Sequence, residues 1–257
     1  MNIIEVTCKV PELMDMKVYP SALYCIGNLE LLQRRKVSII GSRNPIHYAM
    51  HSTQELAQKL SMAGICIVSG GAMGVDALAH RGAGTSNTIM VAGTGLDIRY
   101  PHVNQKLITE IELNGLVLSQ FKEGIPSTKW NFPQRNEVIV ALGEVLIVTQ
   151  ADVKSGSMHS IEFAQKMGKK IYVLPHRAGE SEGTNMLLSK GLATPIYDID
   201  AFVAGFGFVE TKKNDVFLEY CKSNPLYNDA IAKHGEKVFE YEFLGKIVIE
   251  HGRIRSI

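Results

Sequence analysis

Six short apolar runs alternate with helical patterns along this chain, and no other feature restricts its fold as much. The runs are Val37–Ile40, Ile65–Val68, Thr88–Ala92, Leu116–Ser119, Val145–Val148 and Ile171–Leu174. Each is four or five residues long and largely apolar, and the first, dominated by β-branched types, ends abruptly at glycine, which is the pattern of a strand buried on both faces. Between them, Ala49, Thr53, Leu56, Leu60 and Ala63 recur at helical spacing within 47–63, and helical patterns follow at 75–80, 103–114, 133–142 and 157–167. Strands alternating with helices in this way predict an α/β fold, an open, mostly parallel, doubly wound sheet with right-handed crossovers.

The ends of the runs carry the chemistry. Val37 to Ile40 closes on Gly41-Ser42-Arg43, the second run on Ser69-Gly70-Gly71-Ala72-Met73-Gly74, and the third on Gly93-Thr94-Gly95. In a doubly wound sheet all these turns lie at the carboxyl ends of the strands, where ligands bind beside a switch in strand order. Glycine admits a ligand close to the backbone, the following helix offers free N–H groups to an anion, and Arg43 can fork onto a phosphate. The alternative for Arg43 is a solvated loop residue. Ser155-Gly156-Ser157, after the fifth run, offers two hydroxyls and a helix start, and reads either as a phosphate cradle or as an ordinary serine N-cap.

Lys129-Trp130-Asn131-Phe132-Pro133-Gln134-Arg135-Asn136 interleaves cations, aromatics and amides. Cations that track a backbone beside rings on which bases stack are what a single-strand nucleic-acid binder requires. Lid or core positions for Trp130 and Phe132 are the competing reading. The basic run Arg34-Arg35-Lys36 reads as a solvated face.

Several function classes are excluded. The first turn is not G-x-G-x-x-G, the second has the wrong spacing, and no Gly-Lys-Ser/Thr P-loop or H-E-x-x-H helix occurs. Cys8, Cys25, Cys66 and Cys221 are too scattered for a zinc site or a disulfide framework. His80, His102 and His159 are scattered too and read as structural or surface residues. No cofactor or metal is expected. A net charge of +1 confines any polyanion affinity to a local cluster. No apolar run reaches membrane-spanning length and no signal pattern opens the chain, so a cytoplasmic location is expected.

The segments order the chain as an approach segment at 1–36, a main domain at 37–204, a linker at 205–211 and a C-terminal module at 212–257. The module shows two short helical patterns, 215–221 and one within 229–244, then an alternating stretch that turns at His251-Gly252 like a hairpin.

Five motifs, taken in order, resemble the DprA/Smf family of DNA-processing proteins. They are Val37–Arg43, Ser69–His80, Gly95–Asn104, Phe132–Asn136 and Ser155–Ser157, and the similarity runs from about Tyr19 to Pro195. The resemblance implies an extended Rossmann-like domain, with 212–257 as a small winged-helix-like C-terminal domain and without the N-terminal helical domain that many members carry. It implies a single-stranded DNA-binding protein, usually a homodimer, that protects incoming DNA and promotes RecA loading in natural transformation, and not an enzyme. It places Arg43 and Lys129 on phosphates, Phe132 under a base, and Arg135 and Asn136 in the same pocket. Gly41, Ser42, Gly70, Gly71, Ser155, Gly156 and Ser157 complete the pocket with backbone and hydroxyl donors. Gly71, Met73 and Glu137 depart from residues common in the family, the last two replacing cations, so a compact pocket is expected in place of a long basic groove.

Two other classes compete. Lys154 to Glu162 lies where phosphoribohydrolases of the lonely-guy type carry Pro-Gly-Gly-x-Gly-Thr-x-x-Glu. Glu162 remains as a possible acid/base, but the Gly-Gly is missing. A protein-interaction scaffold with a vestigial pocket would bind no nucleic acid at all.

Overall fold

A computed structural model describes residues 2–207, 216–243, 247–250 and 252–256. The chain divides into two compact units, Met1–Val209 and Glu210–Ile257.

Nine strands build the sheet of the first unit. In chain order they are β1 (Ile4–Glu5), β2 (Tyr24–Gly27), β3 (Lys36–Ile40), β4 (Cys66–Ser69), β5 (Thr88–Val91), β6 (Leu116–Ser119), β7 (Val145–Val148), β8 (Lys170–Val173) and β9 (Thr194–Pro195). Their spatial order is β1-β2-β6-β5-β4-β3-β7-β8-β9. The six apolar runs form β3 to β8, all pairing in parallel. Their burial on both faces explains why they show no alternation: β3 to β7 are buried at every position.

The helices cover both faces. On one lie α1 (His47–Met62), α2 (Val75–Ala83) and α3 (Gln105–Asn114), with α7 (Ile199–Ala204). Leu56 and Leu60 of α1 meet Val37, Ile39 and Ile67 there, and Leu107, Ile108 and Ile111 of α3 meet Met90 and Val117. On the other face lie α4 (Asn131–Leu142), α5 (Ser157–Lys166) and α6 (Glu182–Ser189), where Val138, Ile139, Ile161 and Leu187 share a core with Ile40, Val68, Val91 and Val148. The alternating inward and outward side chains of each strand thus feed two separate cores. No helix of the described residues is long and apolar enough to cross a membrane.

Residues 1–36 are more regular than the sequence suggested. The β2 strand pairs antiparallel with β6, and β1 pairs antiparallel with β2, extending one edge of the sheet. Strands of two and four residues are too short to show a period, and it is the free edge of β6 that pairs β2, and β2 that pairs β1. In the basic run Arg34 and Arg35 are exposed, as expected of a solvated face, but Lys36 is not. Lys36 is 2% exposed, and its ammonium donates to the carbonyls of Leu32 and Arg34 and pairs with Glu12 at 2.6 Å. Arg35 forks onto Glu144, and Arg34 donates to the side chain of Asn87. These cations tie the connection before β3 to the end of the sheet opposite the strand carboxyl termini.

In the second unit α8 (Val216–Cys221), α9 (Tyr227–His234) and α10 (Glu236–Phe243) precede an antiparallel hairpin of β10 (Ile247–Glu250) and β11 (Arg253–Ser256). Phe217, Cys221, Ala230, Val238, Ile247 and Ile254 form its core. The single pattern read within 229–244 is two helices divided at Gly235, where the backbone turns through a positive φ of 54°. Of the expected linker, 208–211 lies outside the described residues, as do Asp215, Leu244, Lys246 and His251.

Candidate nucleic-acid interface

The chain runs outward from β3 through β4 and β5 to β6, then returns to place β7 on the other side of β3. Strand order therefore reverses between β3 and β7, and the crevice at their carboxyl ends is the ligand position of this architecture. A cavity of about 490 Å³ lies there. Gly41, Ser42 and Arg43 line it from the β3 turn; Lys129, Phe132, Arg135 and Asn136 from the β6–β7 crossover; and Ser155, Gly156 and Ser157 from the start of α5.

The return crossover explains why the second group arrives at this place. Val138 to Leu142 of α4 are all buried, so the helix is apolar on every side where it crosses the sheet. Its first turn consequently stops over the strand ends. Asn131 fixes it, donating from Nδ2 to the carbonyls of Gly93 at 3.1 Å and Pro126 at 3.0 Å and accepting from the Thr128 hydroxyl at 2.7 Å. Phe132 then projects against Gly93, where an added Cβ would lie 3.1 Å from the ring. The half-buried ring has Tyr100 at 5.9 Å between centroids and the guanidinium carbons of Arg43 and Arg135 each 5.8 Å from its centre. A smaller recess of about 40 Å³ shares Phe132, Arg43 and Arg135 with the cavity and is lined as well by Met73, Gly93 and Tyr100.

The two arginines differ in kind. Arg43 is exposed, and its loop is held by backbone groups: Val75 N–H donates to Ser42 O at 3.0 Å, and Asn44 N–H donates to the Ser42 hydroxyl at 3.1 Å. Its fork is available to a ligand. Arg135 is 5% exposed and donates to the carbonyls of Gly70 and Val91. An added Cβ on Gly70 would overlap that guanidinium, so glycine is required by the close approach. Arg135 borders the cavity, in the pocket where the resemblance places it, yet its paired donors belong to the protein's own carbonyls. Its Nε alone is buried without a partner among the described residues.

Beneath Arg135 lies a buried polar cluster that the sequence reading passed over. Burial pushes the Asp76 carboxyl up, against the pull of Arg135 and a hydrogen bond from Ala72 N–H. Burial, with Arg135 adding to it, pushes the His80 imidazole down to about 3. Its Nδ1 is 2.7 Å from the Thr88 hydroxyl, which itself donates to Ile67 O, so Nδ1 carries the proton and Nε2 is bare. His80 is thus a structural histidine, as its scattered position suggested.

Gly70 lines the small recess and Gly71 lines neither cavity. Gly71 sits at a φ of 71° packed on the Met90 side chain, and its carbonyl accepts from Asn104 Nδ2 at 2.9 Å. Its role is to shape the loop. Ser155 donates to Asp152 O at 2.7 Å, while α5 starts without a side-chain cap, so serine capping does not explain Ser157. Its first-turn N–H groups supply donors beside the cavity. Glu162, the acid/base of the enzyme reading, is not among the lining residues and lies 3.9 Å from His159 on the exposed side of α5. Asp76, Asp152, His159 and Ser160 also line the cavity. Asp76, Tyr100 and Asn104 were inside quoted motifs, but nothing in a linear motif indicates that Tyr100 packs on Phe132.

An open parallel sheet with exposed cations and a half-buried ring at its switch point defines a Rossmann-like protein suited to a ligand that carries both phosphate and base. The chain belongs to the DNA recombination-mediator protein A family, whose model matches residues 6–207. Among curated relatives, the DNA processing protein DprA of Streptococcus pneumoniae is 36% identical over 188 residues, 72% of this chain and 66% of that protein. Protein Smf of Synechocystis is 33% identical over 198 residues, 74% of this chain and 50% of that protein. The chain therefore spans about half to two thirds of the length of these relatives. Among solved structures, DNA processing protein A from Helicobacter pylori, described for its single-stranded DNA binding mode, superposes with a TM-score of 0.78 and 42% identity over 79% of this chain and 95% of that one. The DprA structure from S. pneumoniae gives 0.73 and 32%, covering 80% of this chain and 74% of that one.

Proposed function

We propose that this protein binds single-stranded DNA in the cavity between β3 and β7, protects incoming DNA and promotes RecA loading in natural transformation, as a cytoplasmic homodimer without catalytic activity. The observation that carries the reading is the convergence of Arg43, Lys129 and Phe132 on one cavity, with the Arg43 guanidinium carbon 5.8 Å from the centre of the Phe132 ring. Phosphates pair with Arg43 and Lys129, and a base stacks on Phe132 between Arg43 and Tyr100. Double-stranded DNA binds more weakly, because a base must leave its stack to reach the ring. Two exposed cations and the carboxylate of Asp152 suit a short contact of one or two phosphates. The helices and hairpin of the second unit support a winged-helix-like module.

Titration of labelled single- and double-stranded oligonucleotides at two salt concentrations tests the reading. Affinity for the single strand should fall with salt at a log–log slope of about 0.7 per phosphate contacted. A flat salt response, or equal affinity for both forms, would overturn it.

A further inference from the structure

We propose that Trp130 is a second base-stacking position just outside the cavity, over which the strand leaving Phe132 continues. The inference rests on the single-stranded DNA reading of the cavity.

Trp130 is 70% exposed, although indoles ordinarily bury most of their large apolar area. A loosely held segment does not account for this exposure. Trp130 is the N-cap residue of α4, directly before Asn131, whose side chain is buried and anchored to Gly93 and Pro126. The backbone that presents the indole is therefore fixed while the ring stands in solvent. The ring is also placed against charge: Lys129 Nζ lies 5.0 Å from its centroid. Lys129 lines the cavity, so one cation adjoins both the cavity and the indole face.

A phosphate held by Lys129 has one neighbouring nucleotide toward Phe132 and the other toward Trp130. Stacking on the second ring fits any base, since every base has a π-face, and it lengthens the contact without adding charge. A protein surface with two exposed cations gains affinity in this way while keeping a modest salt dependence.

Trp130 is the only tryptophan in the chain, so its emission reports on this position alone. The intact protein is titrated with an end-labelled 20-nucleotide oligothymidylate, reading label anisotropy and tryptophan emission together. We expect emission to be quenched, and acrylamide access to fall, in step with the anisotropy rise. Trp130→Ala should weaken binding at least about fivefold, the change that corresponds to the lower end of ~1–3 kcal/mol per stacked base. Trp130→Phe should restore most of it. The exposure of the side chain makes both variants foldable, which thermal unfolding checks. Anisotropy that saturates normally with unchanged emission and an unaltered Trp130→Ala affinity overturns this proposal and leaves the DNA reading standing. No anisotropy change at any concentration overturns both. Emission that shifts with protein concentration before DNA is added, together with a change in sedimentation in Trp130→Ala, assigns the indole to a second copy of the chain and overturns the proposal.

Discussion

Replacing Arg43 by alanine isolates the one arginine of the cavity whose fork is free for a ligand. The loop keeps its shape in the variant, because its hydrogen bonds run from Val75 N–H and Asn44 N–H to the carbonyl and hydroxyl of Ser42. The variant loses a guanidinium that lies 5.8 Å from the Phe132 ring at an exposed site. Stability should therefore change by less than about 0.5 kcal/mol, as for other surface substitutions. The effect on DNA is far larger. A charge-assisted hydrogen bond contributes about 1.5–3 kcal/mol, which predicts a loss of roughly 10- to 150-fold in affinity at low salt. One phosphate contact fewer should also reduce the log–log salt slope by about 0.7, so the wild-type and variant curves should converge by roughly fivefold over a tenfold rise in salt. Arg43→Lys sharpens the test: it should retain the slope, since the charge remains, and lose part of the affinity, since the planar fork does not. Anisotropy titrations at four salt concentrations measure both quantities. A variant with wild-type slope and wild-type affinity would refute the assignment of Arg43 to a phosphate.

Other perturbations address separate parts of the site. Phe132→Ala should weaken single-strand binding by about 1–3 kcal/mol with little change in salt slope, because it removes stacking and no charge; a changed slope with unchanged affinity would show that the ring only positions cations. Arg135→Met leaves the carbonyls of Gly70 and Val91 without their side-chain donor and removes the positive charge beside Asp76, and should lower the unfolding free energy in urea titrations by about 1–3 kcal/mol for each carbonyl left unpaired. A stable Arg135→Met protein that has lost only DNA affinity would return this arginine to the ligand. His80, held neutral with its pKa moved from 6.5 down to about 3, binds no proton in the fold where the unfolded chain does. Its contribution to stability is thus complete above pH 6.5 and declines as pH falls toward 3, by about 1.4 kcal/mol per pH unit. His80→Gln should flatten the acid limb of the stability profile by that slope, and superimposable profiles would show that His80 is not the group responsible.

Much of the fold was legible because the six parallel strands are buried on both faces and so announce themselves as apolar runs. What the pattern could not show lies at the edge. Tyr24–Gly27 is a strand only because β6 offers a free edge, and Ile4–Glu5 only because β2 is there. Lys36 looked like solvent-facing charge until the fold placed Glu12 and two carbonyls around it. Gly235 divides one helical pattern into two because a positive φ cannot be read from amphipathic spacing.

The candidate site divides along the same line. The sequence alone determined which residue types stand at the strand ends: a glycine turn with Arg43, a cation–aromatic segment at 129–136 and a serine pair before a helix, since each is a local property of a strand followed by a turn. Only the tertiary structure decided which of them meet. The reversal of strand order between β3 and β7 brings three distant segments onto one cavity. The depth of α4 then separates Arg43, left free in solvent, from Arg135, consumed by carbonyls. Two aromatics separated by a single residue part in the same way, with Phe132 held against Gly93 and Trp130 left exposed. Burial, which depends on all neighbours at once, is what assigned two arginines of one charge to different tasks.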